Sequence, residues 1–254
     1  MNSRERVLAA INHIEPDGLP VDLGSTPSSG ISAIAYDQLL QYLPVKDKRN
    51  WVYDVVQQVA QPSDEVLDYF QIDVIDLGRT FNTSDEDWYD YRLPNGNIAQ
   101  QPVWFQTETL EDASKQVRWN GELIASMPAD AFSYDQSVFP FLEGYPRQYS
   151  VNLDEAMGKI HWAALAHSPW DHASEPDFWQ QLRNHAIRLR EASDRAIVLS
   201  AGCNLFEWGT FLRRIDNFLM DLVLAPNEVE RFLDALMERH LSSLEKICAA
   251  VGDV

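Results

Sequence analysis

The sequence predicts an α/β fold of the (β/α)8 barrel type, of which only about the first half is present, with an antiparallel insertion. Three short apolar runs, at 19–23, 72–77 and 197–199, have the composition of parallel strands that are covered on both faces. Segments with apolar residues at three- and four-residue steps separate these runs and predict helices. Because a complete ring needs eight strands, the three runs account for only part of it.

The chain before residue 80 alternates predicted helices and strands. Turn residues at 16–18 and small residues at 24–30 separate these elements. The segment 51–59 fits either a helix or an irregular connection, and we leave it open. The predicted elements are, in order, a helix capped by Asn2 or Ser3, a strand at 19–23, a helix at 32–43, a short helix at 62–70 and a strand at 72–77.

Residues 80–150 differ in character and predict an insertion. The dipeptides Asn95-Gly96 and Asn120-Gly121 stand between alternating segments and suit tight hairpins, because both residue types tolerate positive φ. We predict antiparallel strands over 88–127 and an aromatic, loop-like segment over 132–149. This insertion either faces the substrate as a lid or only covers one end of the fold.

Helices are predicted again after the insertion. They are expected at 153–166, at 176–193, as one or two helices at 206–224, and as a long helix that begins at Pro226 and has Gly252 at its C′ position. Asp253 and Val254 read as the start of another strand. We therefore interpret 1–254 as a single, partial barrel domain. A half barrel exposes sheet edges and apolar faces, so we expect poor behaviour alone or pairing as a homodimer.

The stretch 196–214 is the basis of the predicted pocket. A buried strand is followed at once by small residues and then by an aromatic helix. In parallel α/β folds the carboxyl ends of the strands carry the chemistry. The predicted pocket wall consists of Ser200, Cys203, Asn204, Glu207 and Trp208. Phe206 and Trp208 also have the spacing of core residues on a helix, and Cys203 fits a small buried hydrophobic position.

Asp22 and Asp76 are the candidate catalytic residues, because each lies near the carboxyl end of a predicted strand. A carboxylate in that place can act as a general acid or base, or can hold a cationic group of the substrate. The alternative is that each caps a helix or pairs with a basic side chain.

Three histidines and two arginines are further candidates for ligand binding. His161, His167 and His172 are spaced by six and five residues, which does not match a helix face, so we assign no metal ligand and expect hydrogen-bonded histidines around a loop. Arg213 and Arg214 could bind a carboxylate, but we favour pairing with nearby acids for both.

Composition limits the classes of partner. The 254 residues include 20 Lys and Arg against 39 Asp and Glu, a net charge of −19, which disfavours nucleic acid and anionic membranes. No apolar run is long enough to span a membrane, and two isolated cysteines fit a reducing compartment. We expect a cytoplasmic protein with a small-molecule substrate.

Three segments together resemble the uroporphyrinogen decarboxylase superfamily. They are the opening SRERVLAAINHIEPDGLPVDLG at 3–24, the segment at 52–78, and the small-small-Gly strand with its following helix at 196–214. The resemblance covers most of the chain outside 80–150. It implies a TIM barrel and one of two chemistries, which are decarboxylation of a tetrapyrrole or methyl transfer between a corrinoid and a thiol.

The resemblance favours the methyltransferase branch. The decarboxylases carry an arginine-rich motif after the first strand, whereas residues 23–29 here contain no arginine, and Thr210 stands where those enzymes have a tyrosine. The methyltransferases imply zinc and a corrinoid, held in part by a second half that is not represented, so this part is expected to be inactive alone. A uroporphyrinogen-type decarboxylase is the alternative, and a non-catalytic protein that binds a corrinoid or a partner protein is the second alternative.

Overall fold

The computed structural model describes residues 1–119 and 121–254 and shows a mixed α/β fold. Within those residues the helices are α1 (Ser3–Ile11), α2 (Ala33–Tyr42), α3 (Asp64–Tyr69), α4 (Tyr149–Lys159), α5 (His161–Ala164), α6 (Phe178–Ala192), α7 (Leu205–Arg213), α8 (Ile215–Leu224) and α9 (Pro226–Val251). The strands are β1 (Ile31–Ser32), β2 (Trp51–Asp54), β3 (Val59–Gln61), β4 (Val74–Asp76), β5 (Trp88–Arg92), β6 (Ile98–Pro102), β7 (Thr107–Thr109), β8 (Lys115–Trp119), β9 (Glu122–Met127), β10 (Asp135–Gln136) and β11 (Ala196–Val198).

The predicted parallel pairing is formed by β4 and β11. Ile197 lies opposite Ile75, and Val198 lies opposite Asp76. A further hydrogen bond runs from the N–H of Leu77 to the carbonyl of Val198, at 2.9 Å. The two apolar runs therefore end at the same sheet edge, which is the arrangement that the sequence predicts for them.

The predicted first strand at 19–23 is not a strand in the structure. The segment nevertheless lies beside β4, because the carbonyl of Val21 accepts a hydrogen bond from the N–H of Asp73 at 2.8 Å. The N–H of Val21 in turn donates to the Asp73 carboxylate at 2.9 Å. A side chain thus takes the hydrogen bond that a strand ladder would use, so the segment is extended but has no regular pairing.

The insertion is antiparallel, as predicted, but it is divided between two sheets. One sheet has the order β10-β9-β8-β7, and the other has the order β1-β3-β2-β6-β5. The second sheet joins insertion strands to β2 and β3, so the ambiguous segment 51–59 is a hairpin-like pair rather than a helix. Gly96, with a φ of +89°, turns the chain between β5 and β6 as expected. The second predicted hairpin turn includes Asn120, which lies outside the described residues.

The C-terminal helices form a separate apolar core. Trp208 and Phe232 lie in its centre together with Phe141, which belongs to the segment predicted as a loop-like lid. The N–H of Phe141 donates to the carbonyl of Leu212 at 2.8 Å. The predicted aromatic segment 132–149 is therefore anchored in this core at Phe141.

Two boundaries near the C-terminus differ in detail from the predictions. The region 206–224 forms two helices, which separate at Arg214, where φ is +69°. Gly252 caps α9 with a φ of −66°, so it does not have the left-handed conformation of a C′ glycine. Asp253 and Val254 are not in a strand, and Asp253 instead forms an ion pair with Arg183 at 2.6 Å.

No sheet within 1–119 and 121–254 closes into a barrel. The parallel sheet has two strands, with α3 before the first and α6 before the second. None of the helices in these ranges combines the length and the apolar composition that crossing a bilayer requires.

Candidate functional site

Asp76 is the last residue of β4. Its side chain is buried, and its Oδ1 accepts a hydrogen bond from the N–H of Gly78 at 3.0 Å. Burial raises the pKa of the Asp76 carboxyl to about 6, while the charge of His167 and the N–H of Gly78 oppose this rise. A carboxyl group with such a pKa changes protonation near neutral pH, which suits a general acid or base.

Gly78 is required at its position by close packing. A Cβ atom there would overlap the carbonyl oxygen of Ser168 and would lie 2.7 Å from Oδ2 of Asp76. The loop that carries Ser168 and His167 therefore approaches the end of β4 at backbone distance. This approach brings His167 close to Asp76 in space, although the two residues are about 90 positions apart in the sequence.

The end of β2 contributes a second pair of groups. Asp54 is buried, accepts a hydrogen bond from the N–H of Gln57 at 2.7 Å, and has a pKa that burial raises. The ring of Tyr53 meets the ring of His167 edge to face, with 5.8 Å between centroids. Tyr53, Asp54, Asp76 and His167 together form what we call the Asp76 cluster.

Tyr53 is the unpaired member of the Asp76 cluster. It is buried, and its hydroxyl has no hydrogen-bond partner within the described residues. Burial raises the pKa of Tyr53, and the carboxylates of Asp76, Asp54 and Asp22 raise it further. The hydroxyl is therefore a neutral donor, available to a ligand or a water molecule, in surroundings that are acidic.

Asp22, the second candidate catalytic residue, serves a local turn. It is exposed, and its carboxylate accepts hydrogen bonds from the N–H of Ser25 at 3.1 Å and from the hydroxyl of Ser25 at 2.5 Å. Asp22 therefore closes a turn and does not cap a helix, since the N-cap of the short helical turn at Pro27–Ser29 is Thr26. Its charge still reaches Tyr53, so it adds to the negative potential of the Asp76 cluster.

The five predicted pocket residues lie in different surroundings. Ser200 offers its backbone carbonyl to the indole N–H of Trp170 at 2.7 Å. Asn204 and Glu207 are exposed on the surface near the start of α7. Trp208 is buried in the helical core and donates its indole N–H to the carbonyl of Gly202 at 2.7 Å, as the core alternative expects. A common wall made by all five stays a prediction.

Cys203 is half-buried, and its thiol donates to the carbonyl of Ala201 at 3.4 Å. Burial raises the pKa of the Cys203 thiol. The opposite shift would be needed for a reactive thiolate at neutral pH. Cys203 therefore has the properties of a packing residue rather than of a nucleophile.

The histidines of the loop are held by hydrogen bonds, as expected. His161 contacts the carbonyl of Trp170 at 3.2 Å, and His172 contacts Glu175 and Asn82 at 2.6 and 2.8 Å. No group of three or more His, Cys, Asp or Glu side chains within 1–119 and 121–254 is placed to hold a metal ion. The residues described here do not fit the zinc that the resemblance implies.

Arg213 and Arg214 are engaged by acids of α8. Arg213 pairs with Asp221 at 2.7 Å, and Arg214 pairs with Asp216 at 2.6 Å. Arg213 also donates to the carbonyl of Phe141 at 3.0 Å. Both arginines therefore follow the pairing alternative, and neither lies in the Asp76 cluster.

Sequence reasoning found Asp76 but missed Tyr53, Asp54 and the placement of His167. The pattern for the first two is present in the sequence, since WVYD at 51–54 is an apolar run that ends in an aspartate, as IDVID at 72–76 does. The sequence of 51–59 nevertheless fits either a helix or an irregular connection, so it does not predict this strand end. His167 reaches the cluster through a loop about 90 residues after Asp76, which no local pattern reveals. A scan against protein-family models, a search of curated proteins and a search of solved structures each found no match.

Proposed function

We propose that the Asp76 cluster is the acid–base centre of an enzyme of the uroporphyrinogen decarboxylase superfamily, built on part of a TIM barrel. The observation that carries the proposal is a buried carboxyl group, with a pKa of about 6, at the carboxyl end of a parallel strand. Strand ends of this kind are where barrel enzymes place their catalytic groups. Perturbed pKa values are enriched at active sites as well.

Methyl transfer from a corrinoid to a thiol is the reaction that we favour. The corrinoid supplies the methyl group as a substrate, and the sulfur of the acceptor thiol takes it up. In this scheme the thiol would lose its proton to the Asp76 carboxylate, and the thiolate sulfur would form the new bond to the methyl carbon while the bond between that carbon and the corrinoid cobalt breaks. The electron pair of the broken bond would stay on the corrinoid, which leaves as the demethylated, reduced product. Tyr53 would orient the acceptor through its free hydroxyl. The expected zinc has no place among the described residues, and no step depends on it here.

Decarboxylation is a second candidate because burial favours the protonated form of Asp76. A protonated carboxyl group can deliver a proton to the carbon atom from which carbon dioxide leaves. The negative charges of Asp22, Asp54 and Asp76 all act at Tyr53, so they would repel a polycarboxylate such as a uroporphyrinogen. A smaller acid with one or two carboxylates is the substrate class that fits this candidate.

The direction of the pH dependence separates the two reactions. The test uses the gene product that contains this sequence, with methylcobalamin and 2-mercaptoethanol in one assay and with porphyrinogens or small carboxylic acids in the other. For methyl transfer, kcat should rise as pH passes through about 6, because the carboxylate is the active form. For decarboxylation, kcat should fall over the same range, because the acid is the active form.

Variants assign the effect to Asp76. We expect Asp76→Asn to lower kcat by roughly 10²- to 10⁴-fold in whichever reaction occurs. Asp90→Asn, which removes an exposed carboxylate of β5, is the matched control and should keep the wild-type rate. Turnover in neither assay would refute the enzymatic proposal and would favour the non-catalytic binding protein.

A further inference from the structure

A cavity of about 550 Å³ lies between α3 and α6, apart from the Asp76 cluster. Ile75 of β4 lines it. Because side chains alternate along a strand, Ile75 and Asp76 point to opposite faces of β4. The cavity is therefore not part of the acid–base site, and the residues that line it need an explanation of their own.

Three arginines converge on this cavity, which we call the arginine cavity. They are Arg79 after β4, Arg188 of α6 and Arg195 before β11. The chain carries 20 basic side chains against 39 acidic ones, so a cluster of cations is unexpected on any one part of its surface. Thr80, Thr83 and His185 add neutral polar groups to the lining.

Arg79 and Arg195 each donate a hydrogen bond to a backbone carbonyl, and each has further N–H groups without a partner among these contacts. Arg79 is 13% exposed in its side chain and uses Nη2 for both the carbonyl of Pro62, at 3.1 Å, and Asp64, at 2.9 Å. Arg195 donates from Nε to the carbonyl of Ile72 at 2.8 Å and from Nη2 to Asp68 at 2.6 Å. Since a guanidinium group has five N–H donors, each retains donors that can bind another oxyanion.

The acids that pair with these arginines can yield to a competitor. The Asp64 and Asp68 side chains are 74% and 72% exposed, and they reach their partners from the solvent side. In each pair the arginine is largely buried and only the acid is exposed, so the exposed carboxylate can turn into solvent when another anion takes its place. A ligand with two or more anionic oxygens could therefore replace them at modest cost and would gain bidentate contacts.

Arg188 is the least engaged of the three. It is exposed, and no hydrogen bond or ion pair to it is found within the described residues. His185, one turn earlier on α6, contacts the hydroxyl of Thr80 at 2.8 Å and stacks on Phe81 with 4.4 Å between ring centroids. Burial and the charge of Arg188 lower the pKa of His185. The cavity thus has a fixed, neutral histidine on one side and a free cation beside it.

We propose that the arginine cavity binds a small ligand with several anionic oxygens, such as a phosphate ester or a di- or tricarboxylate. The volume is within the range of sites for small metabolites. A nucleic acid does not fit, because the field of a chain with a net charge of −19 repels a long polyanion. The inference is independent of the reaction assigned to the Asp76 cluster.

Isothermal titration calorimetry with pyrophosphate and with citrate tests the proposal, in buffers matched for ionic strength with sodium chloride. We expect at least one of the two to bind with a stoichiometry of one. Arg188→Gln should weaken that binding about tenfold, the effect of losing one charge-assisted hydrogen bond. Arg190→Gln, on another face of the same helix, removes a charge of equal sign and should change the dissociation constant less than twofold.

The outcomes are distinct. Binding of pyrophosphate alone assigns the cavity to phosphate compounds, and binding of citrate alone assigns it to carboxylates. Either result supports the proposal when Arg188→Gln weakens the binding and Arg190→Gln does not. Equal weakening by Arg188→Gln and Arg190→Gln would show a general charge effect and would overturn it. If neither pyrophosphate nor citrate binds while circular dichroism shows that the protein is folded, the proposal is overturned as well.

Discussion

At the scale of single residues, the protonation of Asp76 links folding to pH. Burial raises the pKa of this carboxyl from 3.8 to about 6, so the folded chain binds its proton more tightly than the unfolded chain does. The resulting stability is complete below about pH 4 and is lost as pH rises through 6. We expect the Asp76 carboxyl to make the wild-type protein about 1 kcal/mol less stable at pH 7.5 than at pH 5. Urea unfolding at the two pH values measures this difference.

Asp76→Asn should remove that part of the pH dependence. The amide oxygen of Asn can still accept the hydrogen bond from the N–H of Gly78, so the variant changes the titration and preserves the loop. Asp90→Asn replaces an exposed carboxylate and should follow the wild-type curve. If Asp76→Asn and Asp90→Asn both follow the wild-type curve, Asp76 is not the titrating group that we describe.

At the scale of elements, Asp73 joins three parts of the N-terminal region. Its carboxylate is 2% exposed, contacts Arg6 of α1 at 2.5 Å, and accepts a hydrogen bond from the N–H of Val21 at 2.9 Å. Its backbone N–H donates to the carbonyl of Val21, so α1, the segment 19–23 and β4 all meet at this residue. This arrangement explains why the segment 19–23 stays against β4 without forming a ladder.

We expect Asp73→Asn to lower the free energy of unfolding by about 2 kcal/mol, because it replaces a buried charge-assisted hydrogen bond with a neutral one. Urea unfolding monitored by circular dichroism gives the difference. Asp216→Asn breaks an ion pair on the surface, where the carboxylate is 55% exposed, and should leave the unfolding midpoint unchanged. Equal effects of the two substitutions would contradict the linking role of Asp73.

The elements differ in how far the sequence determines them. The strand β11 and its parallel partner β4 were predictable, because an apolar run followed by small residues has few other interpretations. The segment 19–23 has a similar composition, yet the side chain of Asp73 replaces a partner strand there, and this is visible only in three dimensions. The same limit applies to the site. Asp76 can be predicted because it ends an apolar run, whereas the contact between Tyr53 and His167 arises from the packing of segments that are distant in the sequence.

At the scale of the whole molecule, two opposing features govern self-association. Val223 and Leu224 of α8 are 80% and 73% exposed, and Leu219 and Met220 add to this apolar surface. Contiguous apolar surface of this kind favours association with another chain. The net charge of −19 on each copy opposes it, but this repulsion is screened by salt. We therefore expect the pairing of two copies to depend on ionic strength.

We expect the protein to be monomeric at about 0.01 M salt and to associate at about 0.15 M, because the Debye length falls from about 30 Å to about 8 Å. Sedimentation velocity at both concentrations measures the change in mass. The double variant Val223→Ser with Leu224→Ser should stay monomeric at both, since it removes apolar area from α8 without altering the charge. Leu19→Ser, at a residue that is 87% exposed outside α8, is the control and should associate as the wild type does. A wild-type protein that remains monomeric throughout would refute self-association, and association of the double variant would place the contact elsewhere.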